Sequence, residues 1–143
     1  MSTKVSFVII VYNGEDYAEQ CARSVFEQSM EDIEIVFVND ASTDNTEAVI
    51  RRTLEEYPNR NGQVRFVEHE TNKGIVETRK DGFYAATGEF VIFIDGEDYV
   101  ESQMAEQMYA KAIETETYLV VCDYLLQEET KEIYIASSQR SCG

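Results

Sequence analysis

Four short apolar runs, each cut off by turn-forming residues and followed by a helically spaced segment, restrict this 143-residue chain to few architectures. Val5 to Tyr12, Ile33 to Val38, Val64 to Glu68 and Phe90 to Ile94 are rich in β-branched and aromatic residues and read as strands. Glu15 to about Gln28, Asn45 to Tyr57, Ile75 to Ala86 and Ser102 to Thr115 place apolar residues at helical spacing. Regular alternation of strand and helix predicts an α/β fold, three layers α/β/α around a mainly parallel sheet. Pro58 to Gly62 reads as a loop, Tyr118 to Leu126 as a further strand, Glu132 to Ala136 as a weaker one, and Ser137 to Gly143 as a polar tail. The length suits one domain, spanning residues 1–143.

In a parallel sheet the turns that can hold a ligand lie at the C-terminal ends of the strands. Three of them are chemically distinctive. The fourth strand runs into Asp95-Gly96-Glu97-Asp98, three acids within four residues. Carboxylates this close repel unless a cation sits among them, and hard divalent ions prefer such oxygen donors. The competing interpretation is a solvated acidic turn ahead of the next helix. The second strand runs into Asn39-Asp40, which can hydrogen-bond a base edge or a ribose. Ser42 and Thr43 beyond it are expected to cap a helix. The third turn follows Tyr12 at Asn13-Gly14, with neither a Walker loop nor a Rossmann glycine fingerprint. Lys73, Arg79 and Lys80 form the densest cationic group and could meet a diphosphate, or balance charge on a helix face. His69, the sole histidine, is read as structural.

Charge narrows the partners. The formal net charge is −16, with 28 acidic against 12 basic residues, so nucleic acid is disfavoured as a partner. No apolar run approaches the roughly 18 residues of a membrane span, and the first residues lack a signal-peptide pattern, so a cytoplasmic location is expected. Cys21, Cys122 and Cys142 follow no metal or redox spacing and are expected to be reduced thiols.

Together these stretches resemble the nucleotide-binding part of family 2 glycosyltransferases, inverting enzymes of the GT-A fold. The likeness is carried by Val5 to Asn13, Glu34 to Thr46, Asn72-Lys73-Gly74, Arg79, Gly82 and Ala86 to Asp98. The resemblance implies a UDP-type nucleotide-sugar donor, a saccharide or lipid-linked hydroxyl acceptor, and Mg²⁺ or Mn²⁺ as cofactor. It implies that Ile10 and Tyr12 pack against the base, that Asp40 hydrogen-bonds it, and that Asp95 lies near the ribose. Arg79 would line the donor site, and Glu97, with Asp98 beside it, would ligate the metal. Ile10, Asn39, Ala41, Lys80 and Glu97 stand where the family usually has Pro, Asp, Gly, Asn and Asp. No residue matches the general base, which the family carries beyond the fifth strand. A truncated GT-A domain without the acceptor-binding part is therefore expected, inactive alone in transfer, with self-association and peripheral attachment at the inner membrane face allowed. The alternatives are a nucleotide-binding module that has lost catalysis and a nucleotidyltransferase. The latter is disfavoured because Tyr12-Asn13-Gly14-Glu15 offers an acid where such enzymes carry a glycine-rich loop with a basic residue.

Overall fold

The structure is a computed structural model and describes residues 2–116, 123–126 and 129–134. Strands β1 (Val5–Val11), β2 (Ile33–Asn39), β3 (Val64–Glu68) and β4 (Phe90–Asp95) form one parallel sheet in the order β3-β2-β1-β4. Helices α1 (Glu15–Phe26), α2 (Thr46–Leu54), α3 (Ile75–Ala85) and α4 (Met104–Thr115) connect or follow them.

The strand order explains the layering. From β1 the chain steps outward to β2 and β3, then returns across the sheet to pair β4 with the other side of β1. Crossovers between parallel strands are right-handed, so reversing the direction of travel moves the connecting helix to the opposite face. The packing agrees. Phe7, Ile9, Ile35, Phe37 and Ile92 point to the face covered by Cys21, Val25, Phe26, Ile50, Ala105 and Met108 of α1, α2 and α4. Val8, Val36, Val38 and Val91 point the other way, toward Phe83 and Ala85 of α3. The two sets alternate along each strand because successive strand side chains leave opposite faces. Each fully buried Phe or Ile contributes about 1.5–3 kcal/mol. Gly82 brings α3 down onto the sheet, for an added Cβ there would lie 2.3 Å from Val8 Cγ1.

Several boundaries differ from the sequence expectation. The expected Pro58 loop is a 3-10 helix, Pro58–Gln63, held by the buried Arg60. Helix α2 ends at Leu54, α1 at Phe26, and α4 begins at Met104. Ser42 and Thr43 cap no helix. The Ser42 hydroxyl accepts the Asn13 N–H at 3.0 Å, and the Thr43 N–H donates to Asn13 Oδ1 at 2.8 Å, so both bind the β2 turn to the β1 turn. Beyond α4, β5 (Asp123–Leu126) and β6 (Glu129–Tyr134) form an antiparallel pair of their own. Of the two late strands expected from the sequence, residues 118–122, 135 and 136 lie outside the described residues, as does the tail. The second strand starts at Glu129, ahead of the expected Glu132.

Candidate active site

The direction of chain travel reverses at β1, between β2 and β4, and there the three turns meet. They enclose a cleft of about 240 Å³ lined by Ile10, Tyr12, Asp40, Gly74, Asp95 and Glu97, among others. Thus five of the seven residues predicted to form the site line one cleft. The register explains it: Ile10 lies opposite Val38 on one side and opposite Asp95 on the other.

Each wall has a distinct local cause. On the first, Tyr12 leaves the end of β1 half exposed and is followed by Asn13 with a φ of 47°, a left-handed conformation that Asn tolerates. The Gly14 N–H donates to Thr46 Oγ1 at 2.9 Å and the Glu15 N–H to Asp44 Oδ2 at 3.2 Å, so the first residue of α2 and the loop before it anchor the start of α1. Burial alone would push the Asp44 carboxyl up, but the bonds from Thr46 and from the Glu15 N–H hold it below the usual carboxylate range.

On the second wall Asp40 is buried at 3% exposure. Its Oδ1 accepts the Lys73 N–H at 2.8 Å and its Oδ2 the Gly74 N–H at 3.1 Å, while His69 Nδ1 lies 2.8 Å from Oδ1. Burial favours the neutral acid, yet the bonds from His69 and the two amides prevail and hold Asp40 below its ordinary value. Gly74 reaches this position with a φ of 86°, a conformation suited to glycine.

The third wall is the acid turn. The Glu97 N–H donates to Asp95 Oδ1 at 3.0 Å and the Asp98 N–H to the Asp95 carbonyl at 2.9 Å. Burial, then Asp95, then Glu97 raise Asp98 above the usual carboxylate range. Beneath the turn, the Cys21 thiol faces the Asp95 carbonyl at 3.9 Å; burial and the nearby Asp98 and Asp95 push its pKa up to about 12. Cys21 is therefore a packed, protonated thiol.

Two predicted site residues do not line the cleft. Asp98 lies beyond its rim on the same turn, and Arg79 is exposed on α3, one helical turn after the lining residue Ile75. Lys80 is likewise exposed. Lys73 Nζ lies 3.6 Å from Asp81. Among the described residues no group of three or more His, Cys, Asp or Glu side chains is arranged to hold a metal ion by itself. The donors on the acid turn are nonetheless all carboxylate oxygens, the chemistry a hard divalent cation takes, and such ions commonly complete their shells with substrate phosphates. Sequence reasoning missed His69, Asp81 and Asn72 as neighbours of the site. His69 is buried against Asp40 and Asp81, and the Asn72 amide donates to the Asp40 carbonyl at 3.5 Å. The position of His69 at the end of β3, on the same sheet edge, was the available signal.

The family model for glycosyl transferase family 2 matches residues 6–139. The glycosyltransferase EpsJ of Bacillus subtilis is 32% identical over 131 residues, 92% of this chain and 37% of that protein. The poly(ribitol-phosphate) beta-glucosyltransferase of Bacillus spizizenii is 36% identical over 109 residues, 74% of this chain and 17% of that protein. Among solved structures, S. aureus TarS 1-349 in complex with UDP superposes with a TM-score of 0.73 at 27% identity, over 82% of this chain and 34% of that one. The same protein has been solved with UDP-GlcNAc. The mannosyltransferase PcManGT of Pyrobaculum calidifontis, with GDP-Man and Mn²⁺, gives a TM-score of 0.67 at 25% identity, over 76% of this chain and 32% of that one. The fold is that of GT-A transferases. The chain spans about a third of the length of EpsJ and of the TarS fragment. Among the described residues no helix is long and apolar enough to cross a membrane.

Proposed function

Because the chain belongs to glycosyl transferase family 2, we propose that its cleft binds the nucleotide of a UDP-type sugar donor for transfer of the sugar, with inversion, to the hydroxyl of a saccharide or lipid-linked acceptor. The observation that carries this reading is the meeting of Asp40 and the Asp95–Glu97 turn on either side of Ile10 and Tyr12 in one cleft. The UDP and UDP-GlcNAc complexes of TarS support the donor class.

The roles follow from chemistry. Ile10 and the half-exposed Tyr12 offer the apolar surface and ring against which a planar base packs. Asp40, ionised and fixed by its neighbours, accepts an N–H from the base edge. That donor is present on uracil N3, where cytosine presents a lone pair. Asp95 accepts from ribose hydroxyls. Arg79, at the margin of the cleft, swings toward the diphosphate. Glu97 and Asp98 would hold Mg²⁺ or Mn²⁺. When bound, that cation neutralises the diphosphate leaving group as a Lewis acid.

In the inverting reaction the acceptor oxygen attacks the anomeric carbon as the bond to the diphosphate breaks on the opposite face. The hydroxyl proton passes to a general base. None of the cleft residues is assigned that task. The base and the acceptor site are proposed to lie on the part of the relatives' length that this chain does not span, leaving residues 1–143 as the donor-binding domain. Nucleotide binding is thus proposed for this chain alone, and sustained transfer is not.

Titration calorimetry with UDP tests the reading, with and without Mn²⁺. Binding strengthened by Mn²⁺, and weakened when Glu97→Ala is introduced, is expected; no UDP binding under either condition would refute it. Binding indifferent to Mn²⁺ would favour the second reading, a nucleotide-binding module without catalysis. That reading is motivated by Asn39, Lys80 and Glu97, which stand where the family usually has Asp, Asn and Asp.

A further inference from the structure

The buried ring of His69 faces a carboxylate with each nitrogen. Nδ1 lies 2.8 Å from Asp40 Oδ1 and Nε2 lies 2.8 Å from Asp81 Oδ2. A neutral imidazole has one donor and one acceptor nitrogen, whereas an ionised carboxylate only accepts. A neutral ring between two carboxylates would set a nitrogen lone pair against an oxygen lone pair at hydrogen-bond distance. Either the ring carries both protons or one carboxyl does.

The surroundings choose the ring. Asp40 already accepts the Lys73 and Gly74 amides, one on each oxygen, and these bonds require its lone pairs. Asp81 Oδ2 also faces the Lys73 ammonium at 3.6 Å, a place that suits a carboxylate oxygen and not an acid hydroxyl. The charged groups facing the ring are thus Asp40 from the loop after β2 and Asp81 from α3, with Lys73 of the turn ahead of α3 beyond Asp81. With an imidazolium at their centre, the two negative and two positive charges sum to zero; the ring and Asp40 are buried, while Asp81 and Lys73 reach solvent. With a neutral ring, the buried Asp40 carboxylate would have no counter-charge in ion-pair contact among the described residues, which burial penalises.

We propose that His69 is a positioning residue, held as an imidazolium between Asp40 and Asp81, which fixes the Asp40 carboxylate and the Asn72–Gly74 turn as one wall of the nucleotide cleft. The consequence for the ligand follows from residues that line that cleft: Asp40, Asn72 and Gly74. It rests on the reading of the cleft as a UDP site. The protonation of the ring does not. Through Asp81 the arrangement also ties α3, which bears Arg79, to the base side of the cleft.

The chain has a single histidine, so its ring nitrogens give unambiguous signals in a long-range ¹H–¹⁵N correlation spectrum. At pH 7 both nitrogens are expected to carry protons in the wild-type chain. Asp81→Asn keeps a hydrogen-bonding amide but removes one negative charge, and is expected to leave one nitrogen bare. A bare nitrogen in the wild type would overturn the proposal. As a second readout, UDP is titrated into wild type and Asp81→Asn, with circular dichroism confirming that both are folded. Affinity is expected to fall about tenfold, the scale of one charge-assisted hydrogen bond. Unchanged affinity in the folded variant would overturn the positioning role. If the wild type binds no UDP, the functional reading fails, while the spectrum still decides whether the imidazolium clamp exists.

Discussion

The Gly96 N–H donates to the Ile10 carbonyl at 2.8 Å, and a Cβ built on Gly96 would lie 2.8 Å from that same oxygen. The acid turn is therefore bonded to the end of β1 by a contact that leaves no room for a side chain. Val11 Cγ1 crowds the same Cβ position at 2.7 Å. This contact sets Asp95 and Glu97 over the cleft.

Gly96→Ala must push the acid turn off β1. It is expected to destabilise the fold by about 1–3 kcal/mol, the usual cost of overpacking. UDP affinity is expected to fall as well, because Asp95 and Glu97 move with the turn. Thermal denaturation and calorimetry check the two effects. A variant with native stability and affinity would show that the turn yields freely.

The buried Asp40 gives stability a defined pH dependence. Its carboxyl is held below the ordinary value in the folded state, so folding favours the ionised form. The stabilisation is fully present above the unfolded carboxylate value and is lost as pH falls through the lower folded value. Asp40→Asn keeps the shape but not the charge. At pH 7 it is expected to cost about 3 kcal/mol, the upper range for hydrogen bonds to a charged group. The difference from wild type should shrink steadily in urea denaturation below about pH 4, where the unfolded chain's Asp is protonated. A difference independent of pH would show that the charge contributes nothing.

Arg60 acts far from the cleft. It is 3% exposed and donates to the carbonyls of Phe26 at 3.0 Å, Gln28 at 2.7 Å and Met30 at 3.1 Å, and to Gln63 Oε1 at 2.9 Å. It thus clamps the link from α1 to β2 against the 3-10 helix. Arg60→Met fills similar volume and strands these acceptors without a donor. The expected loss is about 1.5–3 kcal/mol, the range for hydrogen bonds to a charged group, because the partners left behind are neutral carbonyls. Urea denaturation measures it; a loss below about 1 kcal/mol, an ordinary single hydrogen bond, would show that water replaces the guanidinium.

Much of the lining of the candidate cleft was legible in the sequence. Asp40 and Asp95 end or follow buried strands, and a parallel sheet brings such ends to one edge. Their meeting required only strand identity and connectivity. Arg79 and Asp98 were less legible, because position on a helix turn or a loop decides whether a side chain enters a cleft. Asp98 is one residue past the lining Glu97 and falls outside.

Other features could not be read locally. His69 and Asp40 are 29 residues apart, and nothing in the sequence near His69 announces two carboxylate partners. Ser42 and Thr43 stand where helix caps commonly stand, yet Asn13 of the neighbouring turn claims both. Arg60 lies in a polar stretch resembling a surface loop, and burial came from carbonyls some thirty residues earlier.

The sequence by itself determined the four parallel strands, the four α-helices and the layered architecture, because hydrophobic period and turn chemistry act over a few neighbouring residues. Tertiary structure alone decided which polar groups share a proton, which glycines touch backbone and which carboxylates face the cleft. Those outcomes depend on contacts of about 3 Å between distant segments, and such distances exist only after the chain has packed.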